Sequence, residues 1–408
     1  MTTLPADDAA RGTDRIHWAR QFMPALQAAS ETIAAEGLLR GRRVGVCLTL
    51  EPKTAALATV FADLGADVAV YCAGHGTDPQ VAAALAHYGV EVFAEAGADE
   101  ARDAELVDAF LDTGPELLVD DGAEVTRQLH SSRRDVLERL VGVAEETTSG
   151  VRPLRVMAAA AELEVPCIAV NDARSKSVFD NVYGTGQSVV MALLDLTNTQ
   201  MQGKLVLVVG YGRVGQGIAR FARSLGARVA VCEVDPVAAL TAYHDGHLVG
   251  PLTDLLPQAD VVFTATGVAH SLTADHVARM RPGALVAVGG AGPPELDPSL
   301  GPPATWGAEL RPLIRELTVE GTTAYVVAAG ECVNTTGGEG NPVEIMDLSL
   351  ALQLHAVAYL AGHAEELGPE VYLLPTTVDD VVALAQLSAA GVGIDTPTRE
   401  QLEATASW

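Results

Sequence analysis

The sequence predicts an α/β protein with two doubly wound parallel sheets, and two observations support this prediction. Through the first 180 residues, short apolar runs alternate with stretches of helical composition, which is typical of βαβ units. A second series of this kind starts at Leu205 and opens with an apolar run that leads into a glycine-rich turn. Two such sheets in sequence predict a cleft between domains, where a nucleotide and a substrate can meet.

The predicted elements follow in order along the chain, after an N-terminal leader of helical character. The first series contains five predicted strands, at 43–47, 67–72, 90–94, 116–119 and 167–170. Stretches of helical composition lie between them, at 54–64, 79–88, 101–111 and 151–162. The second series runs from residue 205 through apolar runs at 228–232, 260–264 and 284–288. Asn341-Pro342 then predicts a return of the chain, followed by an apolar helix at 345–360.

The glycine-rich turn has the pattern Gly-x-Gly-x-x-Gly, formed by Gly210, Gly212 and Gly215 between an apolar run and a helical pattern. Such glycines permit a tight turn and let the backbone approach a pyrophosphate at a helix N-terminus. Glu233 ends the next predicted strand, where a carboxylate accepts hydrogen bonds from a ribose 2′-OH and repels a 2′-phosphate. The sequence therefore predicts bound NAD rather than NADP, against the alternative of a plain tight turn.

These elements predict three regions. We expect a substrate-binding domain over residues 1–181, completed by 342–385, a Rossmann NAD-binding domain over 182–341 and a C-terminal tail over 386–408.

Composition and charge narrow the possible partners and the cellular setting. The net charge of −27 argues against nucleic acid and anionic membranes as partners, because both require basic surfaces. The five cysteines are scattered without the spacing of zinc ligands or of a disulfide framework, so we expect no metal site. The start of the chain resembles no secretory signal, and no apolar run approaches the length of a membrane span, so we expect a cytoplasmic protein.

Lysine is rare, which singles out one position. Of the 26 basic residues only Lys53, Lys176 and Lys204 are lysines. A lysine amine can lose its proton when desolvated and act as a base, whereas a guanidinium cannot. Lys176 lies four residues before Asp180 in a polar segment, so we interpret it as a catalytic residue; the alternative is a surface helix pair.

Acidic and hydroxyl residues form two motifs in the first half. Asp120-Asp121-Gly122 ends one strand, and the run Glu145-Glu146-Thr147-Thr148-Ser149 precedes a helix. Loops at strand ends carry function in α/β sheets, although each run could equally be a helix cap or a turn.

Taken together, these motifs resemble S-adenosyl-L-homocysteine hydrolases in order and spacing, from about residue 43 to residue 387. They are the segments 120–122, 145–151, 171–184, 210–217, 226–229 and 233–236, and Cys332-Val-Asn334. The resemblance implies a substrate domain and a Rossmann domain, tightly held NAD, a nucleoside substrate and a homo-oligomer, either a tetramer or a dimer. It also implies a cycle in which the ribose 3′-OH is oxidised, C4′–H is removed, the 5′ substituent leaves, water adds and the ketone is reduced.

Residue roles follow from the same resemblance. The implied catalytic residues are Asp121 near C4′, Glu146 on the ribose, and Lys176 and Asp180 for 3′-OH oxidation. The implied cofactor-binding residues are Thr147, Thr148, Ser149, Asn181, Gly210, Gly212, Arg213, Val214, Gly215, Glu233, Thr266, Gly267 and Asn334. The implied substrate-binding residues are Thr49, Glu51, Lys53, Asn341 and Met346.

The sequence departs from the family pattern around the 5′ position and the base. Three family histidines fall on Thr49, Ala291 and Asn341. The adenine-side threonine and glutamate are replaced by Glu51 and Lys53, and the C-terminal Lys…Tyr tail of the family is missing. Because the redox residues are kept while these groups differ, we expect a divergent, active family member with a nucleoside substrate other than S-adenosylhomocysteine.

Four functions are compatible with this pattern. The favoured hypothesis is a lyase that expels a 5′-hydroxyl as water, similar to the dehydration of the nucleoside antibiotic psicofuranine (angustmycin C) to decoyinine (angustmycin A). The alternatives are an ordinary S-adenosylhomocysteine hydrolase, an NAD-dependent nucleoside epimerase, and an NAD-binding regulatory protein without turnover.

Overall fold

The computed structural model describes residues 6–290 and 292–406. Within them, two sheets are formed by the strands β1 Arg43–Cys47, β2 Asp67–Cys72, β3 Glu91–Ala94, β4 Leu117–Asp120, β5 Gly142–Glu145, β6 Cys167–Ala169, β7 Leu205–Val209, β8 Arg228–Cys232, β9 Leu248–Val249, β10 Val261–Thr264, β11 Leu285–Val288, β12 Glu309–Arg311, β13 Ile314–Val319, β14 Thr322–Val327 and β15 Val371–Tyr372.

The helices that cover these sheets are α1 Ala6–Gln21, α2 Pro24–Glu36, α3 Pro52–Asp63, α4 Pro79–Leu85, α5 Glu100–Asp112, α6 Glu124–Ser132, α7 Arg134–Leu137, α8 Thr148–Ala159, α9 Arg174–Ser177, α10 Gly186–Thr197, α11 Arg213–Ser224, α12 Pro236–His244, α13 Leu252–Leu255, α14 Ala274–Ala278, α15 Val333–Thr336, α16 Val343–His363, α17 Thr376–Ala389 and α18 Arg399–Ala406. A π-helical turn, Phe179–Thr185, joins α9 to α10.

The first sheet has seven parallel strands in the order β15-β6-β5-β4-β1-β2-β3. The chain winds outward from β1 in one direction and from β4 in the other, so the switch point lies between these two neighbours. Ligands of doubly wound sheets bind in the crevice at the carboxyl ends of the strands at such a point. The residues that follow β1 and β4 are Leu48–Glu51 and Asp121–Gly122.

The second sheet has eight strands in the order β12-β13-β14-β11-β10-β7-β8-β9. Its switch point lies between β7 and β10, after which come the glycine-rich turn and the pair Thr266-Gly267. The prediction of two doubly wound α/β sheets is therefore confirmed. This sheet is not wholly parallel, however, because β12 pairs antiparallel with β13 and β13 pairs antiparallel with β14.

Helix α16 brings the chain back to the first sheet, as the Asn341-Pro342 dipeptide predicts. Its most apolar stretch, within Val343–Glu366, is long and apolar enough to cross a membrane by length and composition, but 67% of that stretch is buried inside the protein. It contacts β4, β5 and the π-helical turn, so it is a core helix that also faces the acidic strand ends. Its position makes it a support for the site described below.

Candidate active site

The two switch points open onto one cavity of about 410 Å³. Residues from both sheets line it. Of the predicted site residues, the cavity brings together Thr49, Glu51, Lys53, Asp121, Glu146, Thr147, Thr148, Ser149, Lys176, Asp180, Asn181, Gly212, Arg213, Val214, Thr266, Gly267, Asn334, Asn341 and Met346. Three further predicted residues do not line this cavity: Gly210, Gly215 and Glu233.

The three glycines of the turn have different structural tasks. Gly210 has a φ of +94°, which favours glycine, and a Cβ there would lie 2.7 Å from the carbonyl oxygen of Ala265. A Cβ on Gly215 would lie 2.0 Å from the carbonyl oxygen of Gly210, so helix α11 can pack this close only with glycine. A Cβ on Gly212 would meet no atom of the described residues within 4 Å. Gly212 thus leaves open space at the N-terminus of α11, where a pyrophosphate can approach the backbone.

Glu233 supports the same turn from the end of β8. Its Oε2 atom accepts a 2.6 Å hydrogen bond from the Tyr211 N–H, and its Oε1 atom accepts from the N–H groups of Val234 and Asp235 at 2.6 and 2.9 Å. A carboxylate offers about four acceptor positions, so one remains for a ribose hydroxyl. The open space at Gly212 and this remaining acceptor both fit NAD.

A pair of acidic residues lies at the end of each of the strands β4 and β5. Because successive strand residues face opposite sides, one acid of each pair holds a neighbouring loop and the other lines the cavity. Asp120 is fully buried and accepts hydrogen bonds from the Thr126 N–H and hydroxyl at 2.8 and 2.6 Å. Glu145 accepts from the N–H groups of Gly122 and Ala123 at 3.0 and 2.9 Å. Asp120 and Glu145 therefore hold the loops, while Asp121 and Glu146 line the cavity.

Lys176 lies at the centre of the polar cluster, with a side chain only 3% exposed. Its Nζ atom lies 3.5 Å from Glu146 Oε1, 3.5 Å from Asp180 Oδ1 and 3.2 Å from Asn181 Oδ1. Burial alone would lower the pKa of Lys176, but the charges of Asp180, Glu146 and Asp121 outweigh it and raise that pKa. The lysine is therefore an ammonium held among carboxylates, and its burial alone does not make it a free base.

Helix α16 fixes two acids of the cluster. The Gln353 amide donates a 2.6 Å hydrogen bond to Glu146 Oε2, and the Ser349 hydroxyl donates a 2.6 Å bond to Asp180 Oδ2. Glu146 Oε1 is buried without a hydrogen-bond partner among the described residues. Burial raises the pKa of Glu146 to about 7, although the Lys176 charge opposes this rise. Neither Ser349 nor Gln353 was among the predicted site residues, since nothing in the apolar pattern of this helix marks them.

Asp121 is held next to this cluster by Thr147, whose hydroxyl donates a 2.7 Å hydrogen bond to Asp121 Oδ1. Burial raises the pKa of Asp121, while the Thr147 hydrogen bond and the Lys176 charge act in the opposite direction. A carboxylate that is short of solvent is suited to taking up a proton. Asp121 lines both cavities, so it lies in the region where they join.

The second cavity, of about 620 Å³, continues from the first past Thr49 and Asp121. His75 lines it and is exposed, so it lies close to the site. Asn341 lies on the other side of the first cavity. It donates a 2.8 Å hydrogen bond to Asp180 Oδ1, and its own oxygen accepts bonds from Ser188 and Asn334 at 2.9 and 3.1 Å. Ala291, the position of another family histidine, lies outside the described residues.

Comparison with known proteins decides the family. The family model described as "S-adenosyl-L-homocysteine hydrolase" matches residues 6–139, and the one described as "S-adenosyl-L-homocysteine hydrolase, NAD binding domain" matches residues 181–340. The chain is 41% identical over 404 residues to an S-inosyl-L-homocysteine hydrolase of Methanopyrus kandleri, covering 98% of this chain and 95% of that protein. It is 42% identical over 400 residues to an adenosylhomocysteinase of Thermotoga maritima, covering 97% and 99%.

The chain belongs to the S-adenosyl-L-homocysteine hydrolase family. It is accordingly an NAD-dependent enzyme of this family, and the predicted NAD cofactor is confirmed. Thr49 and Asn341, the positions where the resemblance predicts that family histidines are replaced, line the same cavity as the cluster. Neither side chain can exchange a proton near neutral pH as an imidazole does.

The open space at Gly212 provides a direct test of how this family member holds NAD. We expect Gly212→Ala to weaken NAD binding on the order of tenfold or more, because the new methyl group occupies the space needed for close approach of a pyrophosphate. The folded structure has room for this methyl group, so the thermal unfolding midpoint of the NAD-free protein should not change. NAD retained after gel filtration and calorimetric titration with NAD measure the effect.

Gly393→Ala is a matched control, because a Cβ at Gly393 also meets nothing within 4 Å but lies in the exposed C-terminal segment. Equal NAD retention in the Gly212→Ala variant and in this control would contradict the assignment of Gly212 to the cofactor.

The raised pKa of Glu146 predicts a measurable dependence of stability on pH. The folded state favours the protonated carboxyl, so its contribution to stability is complete below about pH 4.5 and is lost as the pH rises through about 7. We expect Glu146→Gln to be more stable than the native chain at pH 8, on the order of 3 kcal/mol from the shift in pKa, and similar to it near pH 4.5.

Urea unfolding of both proteins at pH 4.5 and pH 8 measures this difference. Glu162→Gln, at an exposed position, is the control and should follow the native chain at both pH values. A Glu146→Gln variant that is less stable than the native chain at pH 8 would show that the carboxylate stabilises the cluster instead.

Proposed function

We propose that this chain removes the 5′ substituent of a nucleoside by oxidation at C3′, loss of the C4′ proton and elimination from C5′. The observation that carries the proposal is that Lys176, Asp180, Glu146 and Asp121 lie together in one cavity, beside the glycine-rich turn. NAD, when bound, supplies the removal of hydride from C3′ and its later return. The proton transfers at the ribose are left to the side chains of the chain itself.

Each acid of the cluster has a task that its contacts support. Glu146 Oε1 has no hydrogen-bond partner among the described residues, so it can accept a hydrogen bond from a ribose hydroxyl. The Lys176 ammonium can pass one proton to Asp180, which Ser349 and Asn341 fix in place, and then take up the 3′-hydroxyl proton on its amine. Asp121 then takes the proton from C4′, which the neighbouring ketone makes acidic, and the electron pair expels the 5′ substituent.

Hydrolysis is the net reaction that the relatives support better. Both relatives described above have hydrolase-type names, one of them for an inosyl and the other for an adenosyl compound. The second cavity adds support from this chain, because its 620 Å³ lies directly beyond Thr49 and Asp121 and provides room for a substituent larger than hydroxyl. On this basis the substrate is an S-nucleosyl-L-homocysteine. The homo-oligomer implied by the family resemblance stays a prediction, which light scattering can test.

Dehydration of a nucleoside is the second candidate, favoured by Thr49 and Asn341. A positioned general acid–base contributes roughly two to four orders of magnitude in rate, and these two side chains cannot supply it near neutral pH. Without such a group to activate water, the alkene formed by elimination could survive until C3′ is reduced. Glu51 is a poor replacement for such an acid–base group, because protein donors occupy both of its carboxylate oxygens. His75 lies in the adjoining cavity.

One experiment separates these reactions. The purified protein is incubated in deuterated water with S-inosyl- and S-adenosyl-homocysteine and with 5′-hydroxyl nucleosides, and products are analysed by mass spectrometry and a thiol assay. Homocysteine release supports hydrolysis, and a product lighter by one water supports dehydration. An isomer of unchanged skeleton with incorporated deuterium would indicate epimerisation. No turnover and no NADH absorbance with any of these compounds would contradict the proposed function.

A further inference from the structure

Lys176 lies on a helix that has no capping side chain of its own. Helix α9 has only four residues, Arg174–Ser177, and so short a helix has little stability by itself. The first N–H groups of a helix have no partner within it, and a side-chain oxygen of the preceding residue commonly accepts from them. The preceding residue here is Ala173, whose methyl group cannot do so. The turn that carries Lys176 therefore depends on an acceptor from another part of the chain.

That acceptor is Asp379 on helix α17, 205 residues after Arg174. Its Oδ2 atom accepts a 2.7 Å hydrogen bond from the Arg174 N–H. Its Oδ1 atom accepts a 2.9 Å hydrogen bond from the Ser175 N–H and a further bond from the Ser175 hydroxyl. Asp379 is buried, so these donors replace the water that its oxygens would otherwise bind. Both oxygens of one buried carboxylate are thus used on the turn that leads to Lys176.

The position of this turn determines the geometry of the catalytic cluster. Lys176 directly follows Ser175, and Asp180 and Asn181 lie in the π-helical turn that comes after α9. The Lys176 Nζ atom lies 3.5 Å from Asp180 Oδ1 and 3.5 Å from Glu146 Oε1. Proton transfer requires the two groups to be within hydrogen-bond reach, and a misplacement of about 1 Å can lower a rate by about a hundredfold. A shift of α9 would therefore act directly on the proton transfers of Lys176.

We propose that Asp379 is a positioning residue for the oxidation at C3′, because it holds Lys176 where the lysine amine can take up the 3′-hydroxyl proton. The inference rests on the proposed function, in that Lys176 carries a proton during this step. Asp379 lies outside the lining of both cavities, so it acts through α9 and not by contact with a nucleoside. Loss of Asp379 should accordingly slow the oxidation and leave nucleoside binding nearly unchanged.

The chain contains a matched control for this arrangement. Asp347 on α16 is also buried, and its oxygens accept hydrogen bonds from the N–H groups of Ala25 and Leu26 at 2.9 and 2.8 Å, at the start of α2. The residues of α2 all lie outside the linings of the two cavities. Removal of either carboxylate therefore takes away a buried helix cap, whereas only removal of Asp379 should disturb Lys176.

Kinetics of the NAD-loaded protein test the inference. Rapid mixing with inosine or adenosine gives the rate of NADH formation, and calorimetric titration gives the dissociation constant of the nucleoside. We expect Asp379→Ala to lower the rate on the order of a hundredfold and to change the dissociation constant by less than about threefold. Asp347→Ala should keep the rate within about threefold of the native rate, although both variants should unfold on the order of a few degrees lower. Asp379→Asn keeps one acceptor oxygen and should have an intermediate rate, about tenfold below the native one, so it replaces the alanine variant if that variant does not fold.

The rarity of lysine provides a readout that does not depend on turnover. Only Lys53, Lys176 and Lys204 are lysines, so NMR spectra of protein grown with isotope-labelled lysine contain signals from three side chains, and Lys176→Arg identifies the one that belongs to Lys176. We expect that signal to shift in Asp379→Ala and to stay in place in Asp347→Ala. An unshifted Lys176 signal in a folded Asp379 variant, or NADH formation as fast in that variant as in Asp347→Ala, would overturn the inference. If the native protein forms no NADH with either nucleoside, the proposed function fails, and the Lys176 signal alone decides whether Asp379 positions the lysine.

Discussion

Replacement of Lys176 by arginine is expected to lower the rate at which a bound nucleoside reduces NAD by roughly two to four orders of magnitude. Arginine keeps the positive charge next to Glu146 and Asp180, so the electrostatic support of the cluster remains. Guanidinium does not give up a proton at any working pH, so a step that needs the lysine amine as a proton carrier cannot proceed. Absorbance of NADH after rapid mixing with inosine or adenosine measures the rate of this step.

Two controls accompany this variant. Lys204→Arg makes the same exchange outside the cavity and should leave the rate unchanged. The unfolding midpoint and the NAD content of the Lys176→Arg variant show whether the longer side chain is accommodated at a position only 3% exposed. NADH formation within tenfold of the native rate in a folded, NAD-loaded variant would mean that Lys176 acts as a fixed charge alone.

The raised pKa of Lys176 could not be predicted from the sequence. The rarity of lysine and the spacing to Asp180 indicate chemistry at this position, and desolvation favours a neutral amine. The structure adds three carboxylates around the amine, and these outweigh the desolvation. Local sequence contains only the partner four residues away, because Asp121 and Glu146 come from two other loops of the first sheet.

Much of the fold could be predicted because strand composition and helix composition alternate clearly. The strands predicted at 43–47, 67–72 and 228–232 match β1, β2 and β8 at both ends. Strand β5 was not predicted, since glycine and alanine, which are depleted in strands, occupy two of its four positions and it ends in an acidic residue. The antiparallel pair β13 and β14 was also not predicted, because its side chains are only partly buried and its polar residues hide the apolar pattern.

The site could be predicted as a set of residues but not as an arrangement. Asp120 and Asp121 are equivalent in the sequence, and only the direction of β4 shows that Asp121 faces the cavity. The contact between Ser349 and Asp180 spans 169 residues, so it depends on how α16 packs and not on any local pattern. In the same way, the hydrogen bond from Lys53 to the carbonyl oxygen of Glu339 spans 286 residues and has no local pattern that predicts it.

Replacement of Asp121 by asparagine is expected to have a second large effect on the reaction. Unlike Lys176→Arg, it should leave the reduction of NAD intact. Asp121→Asn should still allow a bound nucleoside to reduce NAD, because the amide has the size of the carboxylate and its oxygen can keep the Thr147 hydrogen bond. Removal of the C4′ proton should fall by roughly two to four orders of magnitude, since an amide cannot accept that proton. The variant should therefore accumulate NADH and an oxidised nucleoside.

The reaction is run in deuterated water, and mass spectrometry measures how fast the C4′ hydrogen is exchanged for deuterium. NADH absorbance in the same sample measures the reduction of NAD that precedes this exchange. Asp195→Asn, at an exposed position on α10, is the matched control and should exchange at the native rate. Taken with Lys176→Arg, the two variants should stop at different redox states, oxidised NAD for the lysine variant and NADH for the aspartate variant. If both stop at the same state, Lys176 and Asp121 do not divide the two proton transfers between them, because a group needed only after C3′ oxidation cannot prevent that oxidation.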